Sequence, residues 1–151
     1  MSSADAHRFM ARALQLAARA LYTPHPNPRV GCVLVREGQI IGEAWHERAG
    51  QPHAEPLALQ QAGSQAQGAT AYVTLEPCSH SGPTPPCADA LIAAGVARVV
   101  VAMQDPNPLV AGQGLQRLQQ AGVEVVSSLM ETQARLVNPG FIARMQSGLP
   151  Y

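Results

Sequence analysis

The chain has 151 residues, 46% of them hydrophobic and only 13% charged, which suits one domain with a sizeable core and excludes intrinsic disorder. Ten arginines balance ten acids and there is no lysine, so the formal charge is zero and the sequence lacks the basic footprint of a nucleic-acid binder. A neutral chain can still carry a basic pocket for a small phosphorylated molecule.

No apolar run reaches membrane-spanning length, and the first residues lack a basic segment followed by an apolar core, so neither a membrane span nor a secretory signal is expected. Three cysteines, an odd number, do not make a disulfide framework. A reducing compartment, the cytoplasm, is expected, with Cys32 a buried thiol.

Apolar residues at helical spacing, Phe9, Ala13, Leu14, Leu16 and Ala17 among them, predict a helix over 5–21. Pro24, Pro26 and Pro28 stop it. A buried strand over 30–35, a tight turn at 36–39 and a returning strand over 40–45 follow, with His46 at the end. After a polar loop, a second helix is expected over 54–66; Pro56 is tolerated because the first helical turn does not need its N–H. A strand over 69–75 leads to Glu76-Pro77-Cys78, and a helix beginning near Pro86 is ended by Gly95.

The remaining pattern is a strand over 98–103, a rigid loop at Asp105-Pro106-Asn107-Pro108, a helix over 112–121 and a strand over 123–126. A closing helix over 131–145 is interrupted near Asn138-Pro139-Gly140. Strands alternating with helices predict a layered α/β sheet, its first two strands antiparallel and its later crossovers parallel. A site is expected at one end of the sheet, where loops leave the strands.

The chemistry gathers between His53 and Cys87. Thiolate and neutral imidazole are good zinc ligands, and three protein donors leave the fourth tetrahedral position for water, which marks a catalytic site. His53, Cys78 and Cys87 form such a set, and both cysteines follow a proline. Zinc would make a water nucleophilic near neutral pH. Glu55, two residues after His53, is placed to shuttle protons between that water, a ring nitrogen and a leaving amine. Other readings stand beside these. The cysteines can be two buried thiols, His80 can close the site as a fourth ligand, and Glu55 can simply favour a helix N-terminus.

His53-Ala54-Glu55 with Pro77-Cys78 and Cys87 resembles the cytidine deaminase-like superfamily. Eight residues separate the cysteines here, against two in many members. The chain is more similar to the deaminase domain of bacterial riboflavin biosynthesis, diaminohydroxyphosphoribosylaminopyrimidine deaminase. The matching segments are 25–31, 49–55, 74–80, Thr84-Pro85-Pro86-Cys87, 105–108 with 110–112, and Asn138 with Gly140-Phe141.

That resemblance implies a three-layer α-β-α sandwich with a mixed five-stranded sheet. It implies zinc-dependent removal of the amino group at C2 of 2,5-diamino-6-ribosylamino-4(3H)-pyrimidinone 5′-phosphate, with release of ammonia. Asn27, His46, His80, Asp105 and Asn107 are implied as pocket residues. By residue chemistry alone, Asn27, Asp105 and Asn107 can equally shape turns, and His46 can be a strand-end histidine with its own partner.

Pro83 stands where the family usually has a basic residue, so Arg29 or Arg48 would have to compensate in phosphate recognition. Bacterial members commonly carry a second, NADPH-dependent reductase domain. The 151 residues are expected to form the deaminase domain alone. The resemblance also implies self-association as a dimer or tetramer. Two alternatives remain open: a zinc deaminase for another aminopyrimidine or aminopurine, and a non-enzymatic zinc-containing binding protein.

Overall fold

Side chains that alternate along a strand must bury themselves on opposite faces of a sheet. The computed structural model, which describes residues 3–19, 28–47, 52–79, 86–139 and 142–143, resolves that requirement into three layers. Its elements are α1 (Ser3–Ala17), β1 (Gly31–Arg36), β2 (Gln39–Trp45), α2 (Ala54–Ala62), β3 (Thr70–Val73), α3 (Cys87–Ala93), β4 (Arg98–Val101), α4 (Gln113–Gln120), β5 (Glu124–Val126) and α5 (Glu131–Val137).

The strands lie in the order β2-β1-β3-β4-β5. β1 is antiparallel to both β2 and β3, while β3, β4 and β5 run parallel, so the sheet is mixed. Cys32, Leu34, Val73, Val99 and Val101 face one way and pack with Ala58, Leu91 and Leu118 of α2, α3 and α4. Val33, Val35, Tyr72 and Val100 face the other way and pack with Phe9, Met10 and Ala13 of α1 and Ala134 of α5. Because both faces are covered, residues 32–35 of β1 and 99–101 of β4 read as continuous apolar runs. Each fully buried Val or Leu contributes roughly 1.5–3 kcal/mol.

Several boundaries differ from the sequence expectation. α1 closes at Ala17, and residues 20–27 lie outside the described residues. α2 ends at Ala62, where Gly63 takes a φ of 58° and residues 63–66 tighten into a 3-10 turn. β3 and β4 stop at Val73 and Val101, short of residues 75 and 103. The chain beyond β3 then pairs partly through a side chain, since the Thr74 hydroxyl accepts the Gly31 N–H at 3.0 Å. α5 breaks at Asn138, as the Asn-Pro-Gly sequence requires, and Ile142 N–H donates back to the Asn138 carbonyl.

Two contacts fix the entry to β1. α1 crosses so closely that a β-carbon at Gly31 would strike the Ala13 carbonyl and stand 2.9 Å from Ala17 N. The buried Asn138 amide meets the Arg29 backbone twice, accepting its N–H through Oδ1 and donating through Nδ2 to its carbonyl at 2.8 Å. Gly31→Ala should therefore force α1 off the sheet. Urea unfolding is expected to show a loss of about 1–3 kcal/mol with an unchanged slope.

Candidate active site

Three short segments meet at one end of the sheet. His53 caps α2 in extended conformation, with φ −68° and ψ 166°. Pro56 falls in the first turn of α2, where a missing N–H costs nothing. Cys87 opens α3 behind Pro86, whose φ of −57° suits a residue entering a helix. Cys78 lies in the loop after β3 rather than in a first helical turn. It is tied to α3 from both ends: its carbonyl accepts the Ala88 N–H at 3.0 Å and its sulfur accepts the Cys87 N–H at 3.1 Å.

The donor atoms of His53, Cys78 and Cys87 all lie within 4.8 Å of one another, with His53 Nδ1 3.2 Å from Cys87 Sγ. Ligands at 2.0–2.3 Å from a tetrahedral zinc stand roughly 3.3–3.8 Å apart, so the set fits that ion with little adjustment. The electrostatics fit as well. Hydrogen bonding from Cys87 holds the Cys78 thiol down to about 4, so Cys78 is a thiolate, while the same contact pushes Cys87 upward. Contact with the Cys78 sulfur raises His53. The cluster thus shares a proton among soft donors that a divalent cation would displace. Exposure falls from His53 through Cys78 to the buried Cys87, so the imidazole side faces outward.

Glu55 is 3% exposed, with its carboxyl in hydrogen-bonding contact with Cys87. Burial pushes its carboxyl up to about 7, with the His53 charge opposing the shift. Burial also lifts the neighbouring Cys32 thiol well above its ordinary value, and that residue is wholly buried, as expected.

His46 follows directly on β2, its ring edge-on to His53 with centroids 5.0 Å apart. Its Nδ1 lies 3.1 Å from the Pro52 carbonyl, which can only accept, so Nδ1 carries the proton and Nε2 keeps its lone pair. Burial lowers its pKa. Asp105 and Asn107 form successive side-chain turns: Asp105 Oδ1 accepts the Asn107 N–H at 2.9 Å, and Asn107 Oδ1 accepts the Leu109 N–H at 3.0 Å. Both therefore shape their loop, whatever else they bind. Asn27, His80, Pro83 and Arg48 lie outside the described residues.

Two residues that the sequence reading left without a role are built into this end of the fold. Asn138 grips Arg29, as described above. Glu76 is 6% exposed, and its carboxylate accepts four backbone N–H groups, from Asp105, Gly112, Gly114 and Leu115. An acid at the end of an apolar strand is the only hint the sequence offers.

Residues 3–103 match the model for the cytidine and deoxycytidylate deaminase zinc-binding region. The chain belongs to this family. Within it, the chain groups with the deaminase domain of bacterial RibD. It is 66% identical over 143 residues to riboflavin biosynthesis protein RibD of Escherichia coli, covering 95% of the chain and 39% of that relative. It is 47% identical to the diaminohydroxyphosphoribosylamino-pyrimidine deaminase of Buchnera aphidicola subsp. Schizaphis graminum, covering 94% of the chain and 97% of that protein. RibD of Acinetobacter baumannii superposes with a TM-score of 0.94 at 57% identity, over 98% of the chain and 42% of that structure. The chain thus spans about two-fifths of the RibD proteins it matches.

Membership of a zinc-binding deaminase family agrees with the donor geometry. Cys78→Ala and Cys87→Ala should each weaken zinc binding by more than about tenfold, because each removes a ligand outright. Competition with a chromophoric chelator reads this directly, and Cys32→Ala should bind as the parent does.

Proposed function

We propose that this chain hydrolytically deaminates the diaminopyrimidine ribotide of riboflavin biosynthesis at C2. The observation that carries the reading is the convergence of His53, Cys78 and Cys87 within 4.8 Å, with the buried Glu55 carboxyl in contact with Cys87. Similarity to the Buchnera deaminase along almost its whole length supports the choice of substrate. His53, Cys78 and Cys87 would hold zinc, which when bound supplies the Lewis acidity that makes water a nucleophile near neutral pH.

The rest is done by the chain's own groups. Glu55 takes a proton from the attacking water as oxygen adds to C2, and delivers it to the adjacent ring nitrogen. It then moves the proton of the newly added hydroxyl to the departing amine as the C–N bond breaks, leaving a carbonyl and ammonia. A carboxyl raised to about 7 by burial is suited to both accepting and donating.

His46 offers a lone pair from Nε2 at the rim, and Asp105 and Asn107 present a rigid polar loop. Asn27 and His80 complete the substrate wall in this reading. Self-association as a dimer or tetramer and a cytoplasmic setting, where the three free thiols stay reduced, belong to the same proposal.

Two measurements test it. Ammonia release should be rapid with the ribotide and much slower with its dephosphorylated form or with cytidine. Turnover of another aminopyrimidine in place of the ribotide would overturn the substrate. Glu55→Gln should keep its zinc and lose roughly 10²–10⁴-fold in turnover. Near-normal rates in that variant would remove Glu55 from the proton path.

A further inference from the structure

Glu76 takes no part in the metal binding or proton transfers above, yet its two carboxylate oxygens divide four backbone amides between them. Oε1 accepts the Asp105 N–H at 2.9 Å and the Gly112 N–H at 3.0 Å. Oε2 accepts the Gly114 N–H at 2.8 Å and the Leu115 N–H at 3.2 Å. One side chain therefore holds both ends of the 105–115 segment.

The arrangement answers a local need. α4 is capped by Gly112, which has no side chain with which to accept the first free amides of the helix. Glu76 accepts two of them from across the fold, with its charge at the favourable end of the helix. Gly114 is then drawn so close to the preceding loop that a β-carbon there would strike the Pro77 carbonyl.

The other end of the carboxylate's reach is the site itself. The Glu76 N–H donates to the Met103 carbonyl at 2.9 Å, which continues the β3–β4 pairing, and Cys78 follows two residues later. A small pocket lies between Pro77, Cys78 and Ser79 on one side and Asp105 and Val110 on the other. Asp105 and Asn107 bind their own loop through side-chain turns, so the loop moves as a unit. Glu76 is what sets that unit against the cysteine loop.

We propose that Glu76 is a positioning residue for substrate binding: it fixes the Asp105–Asn107 loop at its working distance from the metal donors. The inference rests on the proposed function for what that loop binds. It rests on geometry alone for what holds the loop.

A carboxylate accepts on every side, whereas a carboxamide has one accepting oxygen and a nitrogen that can only donate. Glu76→Gln can satisfy one pair of amides and must turn an N–H towards the other. With the full chain loaded with zinc, this variant is expected to retain one zinc per chain. Its KM for the ribotide should rise about tenfold or more, with kcat within about threefold of the parent. Amide hydrogen exchange should quicken at 105–115 and stay unchanged in β3 and β4.

Glu76→Asp keeps the charge but is one methylene shorter, and carries the same test should the glutamine variant fail to fold. Loss of zinc, an unchanged KM, or exchange that quickens throughout the chain would each overturn the role. If the parent enzyme leaves the ribotide untouched, the substrate reading falls and exchange alone decides Glu76. Acceleration confined to 105–115 then supports it, and any other pattern overturns it.

Discussion

A parallel sheet delivers its loops to one end, but it does not tell those loops where to stop. In this fold the hydrogen bonding beyond β3 sets the stopping points. The Thr74 hydroxyl and backbone hold Gly31, the Glu76 N–H holds Met103, and the Glu76 carboxylate gathers the amides of the neighbouring loop and helix. Cys78 follows directly, with its sulfur and its carbonyl both tied to the start of α3. The metal donors can crowd together because the backbone carrying them is held by hydrogen bonds to its neighbours. This is the preorganisation that a catalytic metal centre needs from its protein.

The same end of the sheet keeps two kinds of acid apart. Glu55 is buried among sulfur atoms and apolar side chains, and its carboxyl is lifted to about 7. Glu76 is comparably buried but surrounded by amide donors. One carboxyl is readied by burial to exchange protons; the other is engaged by four backbone N–H groups. Residue type and burial are shared, and the neighbours decide what each does.

The sequence made the element order legible because burial on both sheet faces leaves a strong pattern: apolar runs such as 32–35 and 99–103, punctuated by proline and glycine. The gathering of His53, Cys78 and Cys87 was legible because few arrangements other than a metal centre need these types at this spacing. Glu76 and Asn138 were not given roles, because their partners are backbone groups, which every residue possesses and no composition reveals. Asp105 and Asn107 carried two readings, as turn formers and as candidate pocket residues. The structure gives the turn-forming bonds. The ends of α1 and α2 were overextended because alanine- and leucine-rich stretches favour helix beyond the point where a turn closes them.

The paired hydrogen bonds between Asn138 and Arg29 join positions 109 residues apart. They have a consequence for how the protein is made. A ribosome releases the chain from its N-terminal end, so β1 to β5 can assemble while Asn138 is still unsynthesised or held in the exit tunnel. Until it emerges, the Arg29 backbone at the mouth of β1 lacks the paired bonds to that amide. Asn138 therefore finishes a boundary whose other half was made much earlier. A nascent protein stalled before residue 138 would have its sheet and its sulfur ligands, with one edge of the entrance still open.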